Sequence, residues 1–166
     1  GKRGMRAMGV EFNPDMVALS NREAQKQGVA DKVKFVNGDI FATDFTQANI
    51  VTMYLLPSLN LKLRPTLLDM KPGTRVVSPA FTMGDWEPDE TATPEGRQVF
   101  LWIVPAKAAG TWSLQSGGQS RPLALTQTYQ KLQGTLGTGG ASLSVADARM
   151  NGDQIRFAVL DKAGVR

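Results

Sequence analysis

Apolar and polar positions follow two regimes along this chain, and the change between them falls near residue 108. The segment Gly1 to Ala7 carries Lys2, Arg3 and Arg6 and a glycine, Gly4, that can cap a helix C-terminus, so it reads as a helix tail turning into a strand and the start reads as internal. A strand over Met5 to Glu11 leads into Asn13-Pro14-Asp15, which supplies an N-cap, a first-turn proline and an acid near the positive helix end. These predict a helix from about Pro14 to Gln27, stopped by Gly28. A second strand, Lys32 to Val36, ends in Asn37-Gly38-Asp39, and the polar stretch Ala42 to Ala48 crosses to a buried strand over Asn49 to Tyr54. Leu55 to Met70, with Leu59, Leu61, Leu63, Leu67 and Leu68, predicts a helix interrupted near Pro65, and Thr74 to Ser78 predicts the next strand. Alternating strands and helices call for a parallel sheet. Phe81 to Gly96 reads as an acidic, turn-rich loop, and Gln98 to Val104 as strand.

Past Pro105 to Gly110 the pattern changes to short β runs: Thr111 to Gln115, Leu123 to Leu132, Ala141 to Val145 and Gln154 to Leu160. Turns such as Ser116-Gly117-Gly118 and Asn151-Gly152-Asp153 separate them, so a small antiparallel β-meander is expected. The expected organisation is therefore an incomplete doubly wound α/β domain over residues 1–107 and a β-rich domain over 108–166. The glycine cluster Gly134 to Gly140 reads as a hairpin turn, because Ala141 to Val145 continues as alternating β where a phosphate loop would need a helix. Asp161-Lys162-Ala163-Gly164 is a further turn signal.

Composition narrows the chemistry more than the fold. The 166 residues hold no His and no Cys, which removes disulfides, thiolate zinc sites and a Ser-His-Asp triad from this chain, and no metal site is expected. Lys and Arg number 19 against 15 Asp and Glu, and the excess of +4 is scattered, so no nucleic-acid partner is implied. With 42% hydrophobic residues, no stretch of the roughly 20 apolar residues that a membrane span needs and no signal-peptide pattern, the chain reads as soluble and globular, without a targeting signal.

Two acids carry the candidate chemistry. Glu11 closes one predicted strand and Asp39 follows the next, so both carboxylates should emerge at the same edge of a parallel sheet, where open α/β sheets bind nucleotides. One can accept hydrogen bonds from both hydroxyls of a ribose and the other from an adenine amine, which together describe an adenosine pocket. Each has a plainer reading: Glu11 as a solvated strand end, Asp39 as a turn residue after Asn37-Gly38.

Gly9-Val10-Glu11-Phe12-Asn13-Pro14 and Asn37-Gly38-Asp39-Ile40-Phe41 stand in the order and at the separation found in class I S-adenosylmethionine-dependent methyltransferases, which the chain resembles from about Met5 to Pro105. The resemblance implies a Rossmann-like methyltransferase sheet with S-adenosylmethionine as cofactor. Glu11 would hold the ribose, Asp39 the adenine amine, Ile40 and Phe41 a backbone N–H and an apolar wall, and Phe12 and Met16 the other side. Tyr54, at the end of its strand, would face the substrate near the transferred methyl, although such a tyrosine is more often a core aromatic. Tyr54 to Pro57, Leu61 to Pro65, Lys71 to Ser78, Met83 to Trp86 and Leu101 to Ala106 are similar to a group of bacterial methyltransferase-domain proteins.

Two departures from the family stand out. No first strand with a Gly-x-Gly-x-Gly turn precedes Glu11, so this stretch by itself should bind the donor poorly or not at all and be inactive unless a partner chain or a further segment supplies them, and Pro79-Ala80 stands where members of the bacterial group often have His-Asp. The expected reaction is methyl transfer to an unidentified acceptor, with a protein side chain as the candidate and oligomeric state open. A rival reading is a binding module in which Trp112, Tyr129 and Phe157 of the meander recognise a ligand or partner. A nicotinamide-dependent oxidoreductase is a third, since an acid after the second strand also serves NAD sites, and Asp39 argues against it. Trp86 in the acidic loop is a lid or, more simply, a loop anchor.

Overall fold

The computed structural model describes residues 3–161 and 164–165. The chain divides into two compact units, residues 1–47 and 48–166. The change from α/β to meander expected at 107/108 falls inside the second unit.

The first unit is a β-α-β unit: β1 (Ala7–Glu11), α1 (Pro14–Lys26) and β2 (Val33–Asn37). β1 and β2 pair in parallel, with Gly9 beside Phe35 and Glu11 beside Asn37. Glycine at residue 9 makes room for the Phe35 ring, since a Cβ there would lie 2.4 Å from Phe35 Cδ1 and displace it. α1 begins where the cap signal placed it, since Asn13 Oδ1 accepts from the N–H groups of Asp15 (2.9 Å) and Met16 (3.4 Å). The helix buries Val17 and Ala24. From the same helix, the Asn21 side chain takes up the Phe35 N–H and C=O as a neighbouring strand would. Gly4 has φ +81, as a helix cap needs, while the rest of the expected helix tail includes residues 1 and 2, which lie outside the described residues.

The second unit opens with β3 (Ile50–Thr52), α2 (Pro57–Leu68) and β4 (Arg75–Pro79), then β5 (Glu90–Ala92) and β6 (Val99–Ile103). The sheet order is β3-β4-β6-β5. Only β3 and β4 are parallel; β6 runs antiparallel to both β4 and β5. The expectation of an all-parallel sheet is corrected here, because residues 80–98 return without the crossover helix that parallel pairing requires. α2 is also not interrupted at Pro65. That proline sits in the final turns, and Leu63 and Leu67 on either side are fully buried, which holds the helix across the missing N–H.

The meander follows as β7 (Gly110–Ser116), β8 (Gln119–Thr128), β9 (Lys131–Leu136), β10 (Leu143–Asn151), β11 (Gln154–Asp161) and β12 (Gly164–Val165). Each strand pairs antiparallel with its sequence neighbour. Leu123, Leu125, Leu132, Leu136, Val145 and Met150 form its core. Leu123 to Leu132, expected as one run, is broken at Tyr129-Gln130, where Tyr129 takes φ +55. Gly134 belongs to β9 rather than to a turn, and a Cβ there would lie 2.0 Å from the Ala124 carbonyl oxygen. Residues 162 and 163 of the last expected turn lie outside the described residues.

Within this second unit the acidic stretch after Gly84 straps the meander to the sheet. Asp85 accepts from the Tyr129 hydroxyl (3.0 Å) and pairs with Arg64, whose guanidinium lies 5.5 Å from the Tyr129 ring centre. Glu87 pairs with Lys131 (2.7 Å) while its carbonyl accepts from Gln130 Nε2 (2.8 Å). Asp89 accepts from the Ile103 N–H (2.8 Å) and lies 3.4 Å from Arg149. Trp86, turned the other way, is fully buried, 6.0 Å from the stacked Tyr129 ring and 6.1 Å from Trp102, whose indole N–H donates to the Trp86 carbonyl (2.8 Å). It is the anchor and not a lid.

Arg64, followed by the Tyr129 hydroxyl, holds the Asp85 carboxyl below its ordinary range, and Lys131 does the same for Glu87. Burial, followed by the bond to Asp85, pushes the Tyr129 hydroxyl up. Carboxyls lowered by folding stabilise the folded state above the ordinary carboxylate range, and that contribution disappears as pH falls through the lowered values, below about pH 4. Urea midpoints measured at pH 6 and pH 3.5 are therefore expected to separate more for the wild type than for Asp85→Asn/Glu87→Gln. Equal separations would remove the strap from the acid response.

Candidate functional site

Glu11 and Asp39 leave the C-terminal ends of paired parallel strands, which lie about 5 Å apart. Glu11 ends β1 and its Oε1 accepts from the Asn13 N–H (2.8 Å). The residue that caps α1 thus also holds the carboxylate, close to the positive end of the helix. Asp39 stands two residues beyond β2, and its Oδ1 accepts from the Phe41 N–H (2.9 Å) while its carbonyl accepts from Thr43 Oγ1 (2.7 Å). Both acids are exposed, and each keeps a second carboxylate oxygen outside these bonds.

A residue without a role in the sequence reading ties the two together. Asn37, the last residue of β2, donates from Nδ2 to the carbonyls of Glu11 (3.1 Å) and Phe12 (2.7 Å). Its side chain crosses from β2 to β1 and fixes the backbone that carries Glu11. The sequence shows only Asn37-Gly38, a turn pair; what distinguishes it is the neighbouring strand, which is invisible in the local sequence.

The flanking residues sort into two groups. Phe12 is 81% exposed and Met16 48% exposed, so both present apolar surface beside Glu11. The Phe41 N–H donates to Asp39, and among the described residues the Ile40 N–H has no partner. Tyr54 belongs to the second unit, just past β3, and is 83% exposed, so it is not a core aromatic. β3 and β4 run in parallel and end near each other, with Pro79 half-buried at the end of β4 and Ala80 in the left-handed region at φ +65.

The meander aromatics are placed otherwise. Tyr129 is committed to Trp86 and Asp85, Phe157 packs on the meander core, and Trp112 alone is exposed, at 51%. They do not form one recognition surface. Among the described residues no group of three acids stands where it could hold a metal ion, and no helix is long and apolar enough to cross a membrane.

A family model described as the ANTKMT methyltransferase domain matches residues 1–90. A protein-lysine N-methyltransferase of Saccharolobus islandicus (strain REY15A) is 36% identical over 104 residues, covering 60% of this chain and 65% of its own. The adenine nucleotide translocase lysine N-methyltransferase of Mus musculus is 32% identical over 83 residues, covering 49% and 36%. Both relatives are longer than the part that this chain spans, which is under two thirds of either. Among solved structures, an RNA methyltransferase from Salinibacter ruber in complex with S-adenosyl-L-homocysteine is 47% identical with a TM-score of 0.61, covering 63% of this chain and 69% of that one.

Proposed function

Because the chain belongs to the ANTKMT methyltransferase domain family, we propose that it serves methyl transfer from S-adenosylmethionine to a lysine side chain of a protein. The observation that carries this reading is the pair of carboxylates on adjacent parallel strand ends, Glu11 and Asp39, each with one oxygen bonded locally and one open. The residues fit the donor. The open oxygen of Glu11 accepts from ribose hydroxyls, the open oxygen of Asp39 from the adenine amine, and the Ile40 N–H donates to a ring nitrogen. Phe12, Met16 and Phe41 cover the ring faces.

The donor, when bound, supplies a methyl already activated by its sulfonium, so the protein has to position and exclude water rather than provide a nucleophile or metal. A chain without His or Cys is suited to that task. The acceptor amine must arrive neutral, and a lysine near pKa 10.4 in water loses its proton more readily once its ammonium is desolvated.

Lysine is favoured over RNA for two reasons. The curated relatives are named for lysine, and the chain's excess of +4 is scattered, without the basic stripe that nucleic acid attracts. The test has two arms. S-adenosylhomocysteine titrated into the isotope-labelled chain is expected to move the amide signals of residues 11–16 and 37–41. Methyl-labelled donor offered with a cell extract, to the chain extended by a first strand and its Gly-x-Gly-x-Gly turn, is expected to leave label in methyl-lysine after hydrolysis. Unmoved signals would sink the adenosine assignment, and label in nucleosides would sink the lysine assignment. Moved signals without any transfer would leave a donor site but no enzyme in this chain.

A further inference from the structure

Every meander strand between β7 and β12 has two neighbours, whereas among the described residues β7 pairs with β8 alone. Ser116 and Gln119 close a two-residue turn, Gly117-Gly118, with φ +56 and +75. Such a turn makes Ser116–Gln119 a hydrogen-bonded pair, and the alternation then runs through Leu114, Trp112 and Gly110, whose N–H and C=O groups face β8. The N–H and C=O groups of Thr111, Ser113 and Gln115 therefore face outward, along an unpaired edge.

That edge lacks the usual protection. Gly110 to Ser116 contains no charged residue and no proline, and its pairing with β8 runs without a bulge. The apolar face of the sheet also continues to it. Trp112 lies opposite the buried Leu123, and Leu114 packs against the meander core, yet Trp112 remains 51% exposed.

We propose that β7 is a homodimerisation edge that pairs antiparallel with β7 of a second copy of this chain, on a two-fold axis at Ser113. The strand is complementary to itself in this register. Ser113 faces Ser113 of the second copy, and Thr111 faces its Gln115, so all outward backbone groups meet as hydrogen-bonded pairs. Trp112 then stands opposite Leu114 of the second copy, in the non-hydrogen-bonded position where side chains approach most closely. The half-exposed indole is covered, and the contact is isologous, so it closes as a dimer and does not propagate.

Light scattering after gel filtration, over a concentration series of the 166-residue chain, is expected to give twice the mass of one chain at the upper end. Thr111→Lys/Gln115→Lys sets lysine against lysine across the two-fold and is expected to raise the dimer dissociation constant by at least about tenfold. Thr111→Lys/Gln115→Glu sets lysine against glutamate in the same register and is expected to restore the dimer. All these side chains are exposed, opposite Ala124 and Ser120 of β8, so circular dichroism should be unchanged. A monomer at every concentration overturns the proposal. So does a dimer indifferent to the double-lysine variant, or one that both variants weaken equally.

Discussion

Trp86→Ala is expected to destabilise the second unit by ~3–5 kcal/mol, the usual cost of truncating a fully buried aromatic. Trp86 has no exposed surface, its ring lies beside those of Trp102 and Tyr129, and its backbone bridges to Met83, so truncation leaves a cavity inside the second unit. Its loss also removes the ring on which Tyr129 stacks, and Tyr129 carries the turn that aims Lys131 at Glu87. Against a typical total stability of about 5–15 kcal/mol this is a large share of what holds the unit folded. Trp86→Phe is the informative comparison. The Trp86 indole N–H is buried without a partner, a condition that costs about 1–3 kcal/mol, and phenylalanine removes it while keeping most of the ring. Urea unfolding followed by circular dichroism should show Trp86→Phe losing roughly half as much as Trp86→Ala or less. A loss below about 1 kcal/mol for alanine would mean that Trp86 is not the anchor.

Glu11→Gln is expected to weaken S-adenosylhomocysteine binding by roughly 10–100-fold, from the ~1.5–3 kcal/mol that a charge-assisted hydrogen bond contributes. The substitution separates binding from folding. Glutamine can still accept from the Asn13 N–H through its amide oxygen, so the start of α1 should survive. What changes is the second position, where a carboxylate oxygen that accepts from hydroxyls is replaced by an NH2 that cannot. The amide-shift titration is the suitable readout, since it remains quantitative for weak binding. Unchanged affinity with an unchanged spectrum elsewhere would refute the ribose assignment, whereas broad spectral change would instead reveal a structural role for Glu11.

The features that were legible beforehand share a short range. Asn13-Pro14 announces α1 because the cap acts on N–H groups two and three residues away. Gly117-Gly118 announces the first hairpin because positive φ is open to glycine. Three features were hidden. Glu90-Thr91-Ala92 is polar and exposed, and becomes β5 only by pairing with β6. The bend at Tyr129-Gln130 has no glycine, asparagine or aspartate, and its positive φ is held by Trp86 and Asp85, more than forty residues earlier in the chain. Helix α2 passes Pro65 because buried leucines on either side outweigh the missing backbone bond.

The same division runs through the candidate site. That Glu11 and Asp39 would finish neighbouring strands follows from period, caps and turns, each a property of a few consecutive residues. That Asn37 would reach across to hold Glu11, or that Asp85, Glu87 and Asp89 would each find a partner beyond the loop, depends on which distant residues folding brings near. Local backbone preference leaves a mark on its own segment, whereas a long-range contact is set by packing of both partners and leaves no periodic mark on either.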